Sequence, residues 1–328
     1  MTSFDAPRAG MPGQTASGVE IMKQPYDDIG LRSELGASGS IRVSPDIIPY
    51  GPATVPDPQR FFSSNWDSDV GVDITAGEPN NIYVRAMNYG TRPAVGKGYL
   101  YYCDATLIPW LSLWSGHALW AADKADHVDL EAGADGITVG GVPFTWTPPV
   151  VSPRAPYSLV ARVATEAHPN PIPPGDGTLA DLVGYFAPSA NGAAASVIRA
   201  AITVGPDEAN DLTVGVGLET RGEAIPHLHI AVRCSKIPIG CSLTASARSP
   251  GLHPAVDIRG PVTRYPEFVL GAETSLKAES SAPVTLGFRA NGQTIPQDAW
   301  IDLLAMVPAD APAPGRRLVI GSFTLLFR

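Results

Sequence analysis

The residues best suited to bind a metal are in His227-Leu228-His229. On a strand, residues i and i+2 share a face, so both imidazoles could reach one cation. A third ligand would have to come from His253 or Glu223, and the spacing selects neither. Two same-face histidines also need no metal, and that plainer account is preferred. Asp67, Asp69, Asp73 and Glu78 form an acidic stretch that could offer oxygen ligands to calcium. Their order does not match an EF-hand, and a solvated loop explains them as well. Cys103 could pair with His117 or His127 as a thiolate, but a core thiol is the simpler reading. Ser115 lacks the strand–turn–helix setting of a nucleophile elbow, and Gly133–Gly141 does not end as a phosphate cradle does. The expectation is therefore a chain without catalytic residues or cofactor. His227 and His229, and the set Asp67, Asp69 and Asp73, are kept as weak metal candidates. A metal-dependent hydrolase built on the two histidines is the reading that would contradict this.

Aromatic residues offer a different chemistry. Trp110, Trp114 and Trp120 stand in a long insertion, 107–141, that follows Tyr99, Tyr101 and Tyr102. Exposed tryptophans anchor protein partners or stack on sugars, whereas a β-sandwich core absorbs several aromatics. Core is expected for most of them, with Trp110 and Trp114 as the expected exceptions because they belong to an insertion. Interaction candidates are thus Trp110, Trp114 and Trp120, joined by Phe4, Ile21 and Met22 from the N-terminal region.

The elements that must position these groups read as β throughout. Glycine and proline number 33 each among 328 residues, a fifth of the chain, which favours turns over long helices. Ile82–Asn88 alternates most clearly, placing Ile82, Val84 and Ala86 on one face and Tyr83, Arg85 and Met87 on the other. Ile41–Val43, Val70–Ile74, Gly98–Cys103, Phe144–Thr147 and Ser158–Ala164 supply further strands. Residues 167–177 form a proline-rich loop, and Thr178 caps one short helix reaching Phe186. Beyond Pro206, seven more strands follow: Leu212–Leu218, His227–Cys234, Cys241–Ala247, Phe268–Ala272, Val284–Arg289, Trp300–Val307 and Leu318–Phe327. That is the strand count of a second sandwich.

Asn81-Ile82-Tyr83-Val84-Arg85-Ala86-Met87-Asn88-Tyr89-Gly90, then Gly98-Tyr99-Leu100-Tyr101-Tyr102, resembles the CARDB-type bacterial immunoglobulin-like domain. Ala195–Val204 is similar to the closing strand of such domains, although Ile198 and Ala200 replace the usual aromatic and Asn. The resemblance covers about residues 41–205. It implies a sandwich used for adhesion, spacing or assembly, and it carries no catalytic residues to transfer.

The expected fold is all-β: two tandem immunoglobulin-like β-sandwiches with an extended N-terminal arm. Residues 1–40 form the arm, 41–205 the first sandwich and 206–328 the second. A net charge of −9 with no cationic cluster argues against nucleic acid. No apolar run of about 20 residues suggests an integral membrane segment, and no Sec signal is evident at the start. Synthesis in the cytoplasm is expected, with any release by lysis or a dedicated machine. Cys103, Cys234 and Cys241 are an odd set; Cys234 and Cys241 could pair across a hairpin, but reduced thiols are preferred. The leading expectation is a structural or interaction protein, a subunit of a larger homo- or hetero-oligomeric assembly held by strand edges and the arm. A carbohydrate- or membrane-binding module using Trp110–Trp120 is the alternative, with a glycan as its partner.

Overall fold

The computed structural model describes residues 27–32, 44–150, 157–186, 193–206, 209–308 and 317–328. Phe4, Ile21, Met22 and Ile41–Val43 lie outside them. Strands make up 49% of the chain and helices 7%. The chain begins with β1 (Ile29–Arg32), β2 (Ile47–Pro49), α1 (Pro58–Ser64), β3 (Asn80–Asn88) and β4 (Ala94–Asp104). Next come α2 (Leu111–Trp114), β5 (Trp120–Ala121), β6 (Val128–Ala132), β7 (Ile137–Val139), β8 (Phe144–Trp146) and β9 (Tyr157–Thr165). Then follow α3 (Leu179–Phe186), β10 (Ala193–Ala194), β11 (Ser196–Val204), β12 (Asp211–Val216), β13 (Ile225–Ser235) and β14 (Ser242–Ala247). The last six are β15 (Leu252–His253), β16 (Val256–Pro261), β17 (Glu267–Leu276), β18 (Val284–Arg289), β19 (Trp300–Pro308) and β20 (Arg317–Phe327).

These strands build three sheets. A seven-stranded sheet centres on β3, with β1 and β2 on one flank and β7 and β8 on the other; β10 and β5 extend it. A nine-stranded sheet runs β15-β17-β13-β19-β20-β11-β9-β4-β6, and a four-stranded sheet runs β12-β18-β14-β16. The nine-stranded sheet takes strands from both halves of the sequence. Its seam is the pair β11–β20, a parallel ladder aligning Ala201 with Thr324 and Val204 with Phe327. The expected pair of separate tandem sandwiches is therefore replaced, among the described residues, by two layers packed on one shared sheet.

Side-chain alternation decides which layer covers which face. Leu100, Leu159, Ala161 and Val197 point to the seven-stranded sheet and pack with Ile29, Leu31, Ile82 and Val84. Tyr101, Val160 and Ile198, one residue out of phase, point to the opposite face. There they join Ile230, Val232, Leu303, Phe323 and Leu325, which pack on Leu212, Val214, Leu243, Leu286 and Phe288 of the four-stranded sheet. The two covering sheets thus lie on opposite faces of the shared one. Ile29 and Leu31 are fully buried in this arrangement. That part of the expected N-terminal arm is a strand of this chain's own sheet.

β3 is buried on both sides, which puts a charge in the core. Arg85 and Asp46 are both fully buried and form an ion pair at 3.2 Å. Arg85 Nη1 donates to the carbonyls of Phe62 and Asn65 at the C-terminal end of α1, and Nη2 to that of Pro45. Asp46 also accepts from Arg32, whose guanidinium lies 3.4 Å from the centre of the Trp66 ring. Burial lowers the pKa of Arg85, and Asp46 opposes that shift. α1 itself starts at an Asp57 cap that accepts the Arg60 N–H at 3.0 Å, with Pro58 in the first turn. In α3, Thr178 Oγ1 accepts the Asp181 N–H at 3.2 Å, the cap expected from the sequence. The expected strand at Val70–Ile74 is irregular chain, because Asp69 and Asp73 tie it to β11 by side chains.

Two substitutions test this frame. Asp46→Asn leaves the Arg85 charge without its counter-ion and should cost about 3–5 kcal/mol in urea unfolding. A methyl group at Gly321 would overlap the carbonyl oxygen of Leu107, which crosses β20 at that point. Gly321→Ala should therefore lower stability by about 3 kcal/mol or more, read from the same titration.

Candidate interaction surfaces

The structure separates the residues picked out by the sequence. Trp110 and Trp114 are fully buried. Trp110 Nε1 donates to the Glu219 carbonyl at 2.8 Å, tying the insertion to the second half of the chain. Trp114 packs on Tyr101, Tyr185 and Phe186 and donates to the Pro109 carbonyl. The expectation that these two are surface anchors is corrected: the insertion folds back over the shared sheet, and its largest apolar rings fill that joint. Trp120 alone of the three is open, at 57% exposure on the edge strand β5. Beside it runs an aromatic ladder that the sequence did not suggest. Tyr157 meets Trp146 edge-on at 4.8 Å, Trp146 lies 4.2 Å from Tyr102, and Tyr102 stacks on exposed His117 at 5.0 Å.

The metal candidates do not converge. A register irregularity between Ile225 and Leu228 interrupts the alternation of β13. His227 is exposed and His229 is buried. His253 engages the Pro250 carbonyl, and Glu223 accepts the Leu179 N–H, so neither is oriented as a third ligand. Asp69 is paired with Arg199 and Arg328, and Asp73 accepts the Thr203 N–H at 2.8 Å through both oxygens. Those carboxylates pin a loop to the shared sheet. Among the described residues no group of three His, Cys, Asp or Glu side chains is placed to hold a metal ion. All three cysteines are buried and reduced. Burial pushes the Cys103 and Cys234 thiols up to about 12, which removes nucleophilic thiolate at neutral pH.

Sheet edges are the other place where bonding capacity remains. β6 carries Asp129 and Glu131 outward, and the Glu131 N–H is taken by Thr138 Oγ1 at 3.0 Å. β16 ends in Pro261 and presents Asp257 and Arg259. β5, β10 and β15 have two residues each. Charges, proline and short length are the usual protections of an edge. β12 has less protection: six residues, alternating exposed and buried, with Asp211 as its single charge.

Its hydrogen-bond phase follows from its neighbours. Asn210 O accepts the Ala290 N–H, so the even residues face β18 and the odd ones face outward. Gly217 confirms this, because its outward N–H and C=O are met by Ala105 O and Leu107 N. At Asp211, Thr213 and Gly215 no described residue takes the outward groups. No motif signals this edge; only the topology that leaves β12 last in its sheet reveals it.

No family model and no curated protein matches the sequence. Solved structures give weak likenesses. AvmM, described as catalysing macrocyclization in alchivemycin A biosynthesis, is 14% identical with a TM-score of 0.23, covering 38% of this chain and 84% of its own. Red sea bream transglutaminase is 11% identical with a TM-score of 0.21, and covers 86% of this chain and 31% of its own. The collagen adhesin of S. aureus is 8% identical with a TM-score of 0.21, covering 77% and 89%. Scores this low carry no argument about function. The class established here is coarse: a mostly β protein of several sheets, with no described helix long and apolar enough to cross a membrane.

His229 gives a pH test of the shared sheet. Its ring lies against Gly271 on β17, and burial lowers its pKa from 6.5 to about 4. Between those values the unfolded chain binds the extra proton, so stability falls as pH falls. The loss should be on the order of 3 kcal/mol from pH 6.5 to 4. Asp73, whose pKa burial raises, acts in the opposite direction. His229→Gln should flatten the dependence in this window, and urea midpoints across pH for both proteins measure the difference.

Proposed function

We propose that this chain is a non-catalytic interaction protein that assembles by strand addition, and that its partner at β12 is a second copy of itself. The observation that carries the reading is the uncapped outward backbone of Asp211, Thr213 and Gly215 on a charge-poor edge. An unpaired edge is a template for another strand. Antiparallel pairing about Thr213 would set Thr213 against its own copy and Asp211 against the partner's Gly215. No like charges would then face each other, and the Thr–Thr pair is a favourable cross-strand contact. Such a contact is isologous and closes as a two-fold dimer.

The rest of the molecule suits that role. The shared sheet joins both halves through β11 and β20, so a partner held at the second half is fixed relative to the first. We retain the immunoglobulin-like, CARDB-type reading of residues 41–205 as part of the proposal, carried by the motif on β3 and β4. A six-residue edge buries less than the ~1,600 Å² of a standard interface, so dissociation in the micromolar range is expected.

Sedimentation or light scattering against concentration tests the proposal. The full chain should approach twice its 34.4 kDa mass as concentration rises. Thr213→Pro removes an outward N–H without touching the β18 ladder and should stay at the mass of one chain with an unchanged circular dichroism spectrum. A wild-type protein that remains a monomer overturns self-pairing, and so does a variant that dimerises equally well.

A further inference from the structure

The outer face of the four-stranded sheet is polar and low. Cross-strand register aligns Thr285 of β18, Ser246 of β14 and Asp257 of β16 in one row. The next row is Gly287, Thr244 and Arg259. At the end of this face, where the chain leaves β14 through Arg248, lies an open depression of about 400 Å³. Buried Val256 and Ala247 contribute to its lining, together with Ser246, Asp257, Arg259 and Thr285.

Its polar groups are unequally occupied. Asp257 accepts from Nε and Nη2 of Arg259, at 3.0 and 2.7 Å, which orients the guanidinium and leaves Nη1 with no described partner. Arg248 is exposed and forms no ion pair or hydrogen bond with a described residue. The hydroxyls of Ser246 and Thr285 are likewise without described partners. The depression therefore holds two cations against one carboxylate, a local excess of positive charge on a chain whose net charge is −9. Guanidinium forks match planar oxyanions, while neighbouring hydroxyls and a carboxylate match polyols. The volume lies at the small end of the range for ligand sites.

We propose that this depression binds an acidic sugar residue. Its oxyanion meets Arg248 and the free Nη1 of Arg259, and its ring hydroxyls meet Ser246, Thr285 and Asp257. The site is independent of the β12 edge, because it lies on the face of the sheet and needs no second copy.

Titration calorimetry, or chemical-shift mapping, of the full chain with glucuronate, glucose and inorganic sulfate tests it. Glucuronate should bind in the millimolar range or tighter, at least tenfold better than glucose or sulfate. Arg248→Ala should weaken glucuronate about tenfold, with Arg248→Lys recovering part of the loss because it restores charge but not the fork. Arg248 is exposed and lies just past the end of β14, so its variants should keep the wild-type unfolding midpoint. Absence of glucuronate binding, or binding indifferent to Arg248→Ala, overturns the site. Sulfate binding as well as glucuronate overturns the sugar and leaves a bare anion pocket.

Discussion

The parallel pairing of β20 with β11 holds the molecule together. It brings a strand from the far end of the described chain against one from the middle, and it makes a single nine-stranded sheet out of two halves. Everything else is arranged around that seam. The seven-stranded sheet can cover one face and the four-stranded sheet the other only because the shared sheet continues beneath both. The seam is closed by both kinds of bonding. Ile202, Leu325 and Phe323 bury apolar surface on one face, and on the other Thr324 donates to Asp302, which also holds Arg233. Arg328 then reaches back to Asp69 and to the Gly71 carbonyl, fixing the loop ahead of β3 to the end of β20.

Buried charge at the joints is paired. Arg85, Arg199 and Asp302, taken out of water, are each met by an opposite charge, so part of their desolvation is offset locally. Arg85 is the clearest case: one carboxylate, and carbonyls from the end of α1 and from Pro45. This arrangement contributes less net stability than its geometry suggests, because hydrophobic replacements can be as stable as buried pairs. What it supplies is definition, since α1, β2, β3 and the loop to Trp66 can meet at Arg85 in one arrangement that satisfies every donor.

The surfaces follow from the same economy of strands. The edge strands β5, β6, β10, β15 and β16 are short, charged or ended by proline, while β12 keeps the outward backbone of Asp211, Thr213 and Gly215 without a described partner. The chain already completes part of that edge itself, with Ala105 and Leu107 at Gly217. A strand from a second copy would extend the same ladder. The four-stranded sheet thus offers two separate chances for contact, an edge suited to a β partner and a face suited to a small anionic ligand.

The periodicity of two was enough to find most of the strands. Alternation gives Val284–Arg289 its observed bounds, and it places the strands from Ile82 and Trp300 to within a few residues, as the cap at Thr178 does its helix. Alternation survives in these segments because one face of each meets a core and the other meets solvent or a second layer. β1 has no such signal, because Ile29–Arg32 is four residues long and takes its identity from β3 and β10 beside it. The burial of Trp110 and Trp114 is not legible in sequence, because composition does not say whether an insertion folds outward or back onto a sheet.

The sequence by itself thus determined the class of fold, since a mostly β chain follows from local patterns of apolar and turn residues. Tertiary structure alone decided that the layers share a sheet, which rings are buried, and which edge is left open. Those outcomes depend on pairing between segments far apart in sequence, more than 100 residues for β11 and β20, and no local pattern encodes a partner at that distance.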